Sequence, residues 1–181
     1  MGKRSSYQKN KHDQYYTPIG PVKHLIPHLP DQSFTYAEPC AGDGRLIRHL
    51  ETLIPHAKCL ISCDIDPAPN SGILRSNAFN QNYDQVDYLI TNPPWTRDIL
   101  HDMIMYFSDQ KPTWLLFDQD WVATDQSIPY MKRCKEIVPI GRVKWIEGSK
   151  KTGKDNAAWY LFDRSFDQSN DRTIFHPRII V

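Results

Sequence analysis

Apolar positions along this chain switch between two rhythms, and the switches mark out its elements. Segment 34–39 is a short apolar run that ends in the small-residue turn Ala41-Gly42-Asp43-Gly44, after which Leu46, Ile47, Leu50, Leu53 and Ile54 recur at helical spacing. The pattern there predicts strand, tight turn, helix. Segment 58–63 reads as a second strand, stopped by Asp64-Ile65-Asp66-Pro67, where proline removes a donor and breaks regular pairing. Segment 87–91 is a third, and segment 96–107 a helix with Ile99, Met103 and Tyr106 on one face. Segment 113–117 follows as a strand and 127–135 as a weak helix. Two β-rich runs, 137–147 and 157–163, flank the polar loop 148–156 and look like a closing hairpin. Strands alternating with helices imply an α/β fold whose parallel sheet is covered on both faces, with the hairpin as an antiparallel edge. The stretch after Arg164 shows no pattern, and residues 1–16, with Lys3, Arg4, Lys9 and Lys11 against Asp13, read as a flexible basic arm.

Composition narrows the picture. At 181 residues the chain suits one domain, and 12% aromatic residues are too many for a disordered segment. Residues 17–181 are expected to form it, with no separate target-recognition domain. Apolar runs such as Trp114-Leu115-Leu116-Phe117 fall far short of the roughly 18 residues a membrane helix needs. With no apolar stretch behind the basic start, a cytoplasmic protein is expected. Cys40, Cys59, Cys63 and Cys134 form no C-x-x-C pair, so buried reduced thiols are expected and no metal site. A net charge of +1 means that any nucleic-acid surface must be local.

In open α/β sheets, ligands bind beyond the carboxyl ends of the strands, and three such places here are unusual. After the first strand, Glu38-Pro39-Cys40-Ala41-Gly42-Asp43-Gly44 brings two glycines to a helix N-terminus, where backbone can approach a ligand. Ile47 stands where a dinucleotide fingerprint would have its third glycine, which disfavours a nicotinamide-dependent oxidoreductase. Asp64 follows Gly44 by a spacing at which an acid commonly bonds ribose hydroxyls, or it caps a turn. After the third strand, Asn92-Pro93-Pro94-Trp95 combines an amide, two prolines of fixed φ and an indole face. Rigid acceptors beside an aromatic plane suit a planar substrate carrying an NH2 group.

The ordered set Tyr16-x-Pro18, Glu38-x-Cys40-Ala41-Gly42-x-Gly44, Asp64-x-Asp66-Pro67, Asn77-Ala78-Phe79 and Asn92-Pro93-Pro94-Trp95 resembles the S-adenosylmethionine-dependent amino-methyltransferases. It is most similar to the N6-adenine DNA methyltransferases and their phage and prophage relatives, over Tyr15 to Phe162. The resemblance implies a Rossmann-like class I methyltransferase fold, with a mostly parallel seven-stranded sheet and an antiparallel C-terminal hairpin. It implies S-adenosylmethionine as cofactor, with Tyr16, Thr17 and Pro18 bordering its methionine end. Glu38, Ala41 and Gly42 would hold its amino-acid part, with Gly44 of the same loop also at the cofactor, Asp64 its ribose, and Ile65, Asn77 and Phe79 its adenine. Many relatives carry Asp at the position of Asn77, and Tyr at that of Trp95.

In this scheme the Asn92 amide oxygen and the Pro93 carbonyl accept both hydrogens of an exocyclic amine and localise its lone pair for attack, while Pro94 stiffens the turn and Trp95 stacks on the base. A base in duplex DNA would first be flipped out. Trp145 or Trp159 would form the opposite wall or pack in the core, and Lys150, Lys151 and Lys154 would meet phosphates or solvent. The expected activity is methylation of adenine N6 in DNA with low sequence selectivity, or with selectivity supplied by a specificity subunit. An RNA adenine or protein glutamine methyltransferase shares the motif, and an inactive cofactor-binding scaffold subunit would keep the fold without the chemistry.

Overall fold

The computed structural model describes residues 15–146, 148, 152–166 and 171–179. Its centre is one eight-stranded sheet in the order β3-β2-β1-β4-β5-β7-β6-β8. The strands are β1 (Phe34–Glu38), β2 (Ala57–Asp64), β3 (Leu74–Arg75), β4 (Tyr88–Thr91), β5 (Thr113–Asp118), β6 (Cys134–Arg142), β7 (Asn156–Phe162) and β8 (Ile174–Phe175). β1 to β5 run parallel, β7 is antiparallel to both its neighbours, and β8 joins β6 in parallel. The expected α/β sheet with its terminal hairpin is present, enlarged from seven strands to eight by a two-residue edge strand in the stretch that lacked any pattern.

Side chains alternate across each strand, so the sheet separates two cores. Tyr36, Ile90, Trp114, Leu116 and Trp159 face helices α1 (Ile19–Leu25) and α2 (Arg45–Leu53), burying Val22, Leu25, Leu46 and Leu50 against them. Ala37, Leu89, Leu115, Phe117 and Tyr160 point the other way, onto Leu100, Ile104 and Phe107 of α3 (Arg97–Gln110). Strands buried on both faces are near-continuously apolar, as β5 and β7 are.

Two expectations shift. The weak helix foreseen at 127–135 shrinks to α4 (Ile128–Met131), because Cys134 already belongs to β6, and that strand ends at Arg142 instead of residue 147. Helix α1 was masked in the sequence by Gly20 and Pro21, yet proline in the first helical turn costs no hydrogen bond. The sequence order of the strands reverses between β1 and β4, and at such a switch point α/β sheets bind ligands in the crevice beyond the strand ends, here those of Glu38 and of Thr91, which Asn92 follows.

Candidate active site

The loop from β1 to α2 is built around two left-handed glycines, Gly42 at φ +54° and Gly44 at +74°, the latter capping α2. A Cβ on Gly42 would stand 2.9 Å from Cδ1 of Tyr16, so the glycine is what lets that ring lie on the loop. Tyr16 in turn faces the Arg45 guanidinium at 5.6 Å. Beneath, Glu38 is buried, and its carboxylate receives the N–H of Ile47 while Oε2 has no partner among the described residues. Burial, followed by the charges of Asp64 and Asp43, pushes this carboxyl well above the usual range. A dehydrated acceptor with a free lone pair, buried beside a glycine loop, is one that a cationic donor would complete.

Asp64, at the end of β2, spends one oxygen on the N–H of Gly42 at 2.8 Å and the other on that of Asp66 at 2.8 Å. It therefore shapes the glycine loop, and each oxygen keeps a lone pair that could accept a further donor. Ile65 beside it is 62% exposed, an uncovered apolar side chain. Asn77 turns its side-chain oxygen back to accept from the Phe79 N–H at 3.0 Å, capping a single 3-10 turn, Ala78–Asn80. Phe79 packs edge-on against Tyr106 with centroids 5.0 Å apart, half-buried at the same rim.

Asn92 follows β4, and both ends of its amide are engaged. Nδ2 donates to the Tyr15 carbonyl at 2.9 Å, which turns Oδ1 the other way to accept from Nε1 of Trp95 at 3.3 Å. The same indole N–H also reaches the Leu116 carbonyl at 3.2 Å. Trp95 is thus folded over Asn92, packed against both cores, with Trp145 edge-on at 5.7 Å and Tyr15 beyond it. The segment from Tyr15 to Thr17 spans from Asn92 to the Gly42 loop, bringing the two halves of the site together, with Thr17 buried and Pro18 capping α1.

Of the two candidate wall tryptophans, Trp145 stands at the site and Trp159 does not. Trp159 is fully buried and donates to the Pro21 carbonyl at 2.9 Å, so its indole fixes α1 to β7 and offers no face to a substrate. Lys154 is exposed on the hairpin loop; Lys150 and Lys151 lie outside the described residues. One charged pair escaped notice in the sequence. Arg97, shortly after Asn92-Pro93-Pro94-Trp95, bonds Asp118 at the end of β5 and leaves its Nη1 buried with no partner among the described residues. An arginine in the first turn of a helix opposes the helix dipole, and that misfit was the available signal.

No family model and no curated protein matches this chain. Solved structures do. A protein from Listeria monocytogenes described as a class I S-adenosylmethionine-dependent methyltransferase aligns with a TM-score of 0.59 and 11% identity, over 90% of this chain and 65% of that one. A dimethyladenosine transferase from Plasmodium falciparum gives a TM-score of 0.52 and 18% identity, over 82% and 62%. The modification subunit of a type I restriction enzyme from Vibrio vulnificus gives 0.54 and 15%, over 85% and 45%. The chain therefore spans less than two thirds of the length of each of these three proteins. At such identities the likeness establishes the fold, the Rossmann-like fold of class I methyltransferases.

Proposed function

We propose that this chain transfers a methyl group from S-adenosylmethionine to the exocyclic N6 amine of adenine in DNA, with low sequence selectivity or with selectivity supplied by a partner subunit. The observation that carries the proposal is the Asn92 amide, held by Tyr15 so that its oxygen faces an N–H donor across the crevice from the glycine loop. The indole N–H that now fills this acceptor has the donor chemistry of a base amine. An adenine amine displacing it would donate to Asn92 and to the Pro93 carbonyl, losing the conjugation that makes it a poor nucleophile. DNA as acceptor rests on the sequence resemblance; the similar folds include a restriction-enzyme modification subunit and a dimethyladenosine transferase alike.

Bound S-adenosylmethionine would supply a methyl group on a sulfonium, already activated for displacement. The orphaned Glu38 oxygen suits its ammonium group, Asp64 its ribose, and exposed Ile65 with Phe79 its adenine. The residues then have one task, alignment, which is worth up to roughly 7–11 kcal/mol in well-oriented systems. Trp95 would hold the base by stacking, at about 1–3 kcal/mol, with Trp145 edge-on beside it.

The direct test is incubation with methyl-labelled cofactor and DNA, followed by nucleoside analysis for N6-methyladenine, with RNA and protein offered in parallel. Asn92→Ala is expected to lower kcat at least about 100-fold, the scale of losing one preorganised hydrogen-bonding group, while cofactor affinity stays near wild type. Label in RNA or on glutamine alone would move the acceptor, and a variant within about tenfold of wild type would remove Asn92 from the chemistry.

A further inference from the structure

Toward the opposite end of the sheet, three side chains from distant parts of the chain converge. His28 ends the single 3-10 turn Ile26–His28 that follows α1, Glu136 lies near the start of β6, and His176 directly follows β8. Glu136 is level with Leu161 and so with Trp114 near the start of β5, whereas the crevice lies beyond the other end of that strand. Nε2 of His176 is 2.9 Å from Oε2 of Glu136, and Nδ1 of His28 is 3.8 Å from the same oxygen. The imidazole centroids are 4.2 Å apart with planes at 60°, and the three ligand atoms all lie within 4.8 Å of one another.

These separations are those of a coordination shell. Around a tetrahedral zinc ion with bonds of about 2.0–2.1 Å, neighbouring ligand atoms stand about 3.3 Å apart, a value the two observed distances bracket. A hydrogen bond to Glu136 accounts for His176 alone. His28 is too far from that oxygen to bond it well, yet near enough to share an ion with it. All three side chains are half-buried, so the ligand atoms lie near the surface, and His176 also borders an open cleft of about 530 Å³.

We propose that His28, Glu136 and His176 form a three-ligand site for a divalent transition-metal ion, zinc foremost, that fastens the N-terminal helix and the edge strand β8 onto β6. Two imidazoles and a carboxylate match zinc in ligand type, and they do not match the all-oxygen shells of magnesium or calcium. The positions 28, 136 and 176 have no motif spacing, which is why the sequence alone showed no site.

The test uses the untagged full-length chain, stripped with chelator and titrated with zinc chloride by calorimetry and with cobalt chloride by visible absorption. One equivalent of zinc is expected, with a raised Tm and a tetrahedral cobalt spectrum free of thiolate-to-metal charge transfer. His28→Asn and His176→Gln should each weaken zinc binding at least tenfold while keeping the far-UV circular dichroism of the parent. Failure to bind one equivalent overturns the proposal, as does a thiolate band in the cobalt spectrum or equal binding by the folded variants. None of these readouts depends on methyl transfer.

Discussion

Glu38 shows at the scale of one residue how a site stores an unfavourable interaction for a ligand to relieve. Its carboxyl is pushed up by burial first and by Asp64 and Asp43 next, with Arg48 and the Ile47 N–H pulling the other way. A carboxyl whose folded pKa exceeds its unfolded one binds its proton more tightly in the fold. The stability it contributes is therefore complete below the unfolded value and drains away as pH rises through the folded one. Glu38→Gln removes that titration, so the variant's Tm should gain on wild type as pH rises from about 5, above the ordinary carboxylate range. Thermal scans across that rise in pH check the sign, and a constant gap would mean that Glu38 does not titrate on folding. The same substitution should weaken S-adenosylhomocysteine binding, a loss of function accompanied by a gain in stability.

At the scale of elements, Trp95 links three of them: the turn after β4 through Asn92, β5 through the Leu116 carbonyl, and the segment after β6 through Trp145. Trp95→Phe keeps an aromatic plane and deletes both hydrogen bonds. The unpaired Leu116 carbonyl should cost about 1 kcal/mol, a Tm lower by about 2–4 °C. The acceptor KM should stay level or fall, because Asn92 Oδ1 is then vacant for the substrate amine. Steady-state kinetics decide this, and a kcat reduced more than tenfold would show that the indole N–H itself is needed. The elements that place these groups were largely legible. Strands 34–39, 87–91 and 113–117 could be read because they are buried over most of their length, and 58–63 because its short apolar run ends at Asp64-Ile65-Asp66-Pro67, although Lys58 and Leu60 are exposed. Helix α1 and β8 were not, since Gly20-Pro21 disguises the one and β8 has two residues, both exposed. At the crevice, Glu38, Gly42 and Asn92 stood out through local motifs. The Trp95 fold-back, the Arg97–Asp118 pair and the His28–Glu136–His176 cluster did not, because each is a contact between segments that only the packed sheet brings together.

Across the whole molecule, the four cysteines divide between the two sides of the sheet, Cys59 against one core and Cys40, Cys63 and Cys134 at the other. All four are free thiols. Burial raises Cys59 to about 12 and Cys63 to about 11, and it drives Cys40 and Cys134 upward as well. At pH 8 a thiol of pKa 11 is thiolate to only about one part in a thousand, so attack on a disulfide reagent must wait for the chain to open. The native chain should therefore release less than one equivalent of thionitrobenzoate from Ellman's reagent in the time that the guanidinium-unfolded chain releases four. Because both cores share one sheet, Cys59, Cys63 and Cys134 should then be labelled at a common rate, that of global opening. Cys40 is the exception, since it sits in the glycine loop, held to Thr91 by its own N–H. Opening of that loop alone exposes it, so S-adenosylhomocysteine should slow labelling of Cys40 more than that of the other three. Peptide mapping of the labelled chain reads this directly, and uniform protection of all four thiols would place the ligand's effect on global stability instead of on the loop.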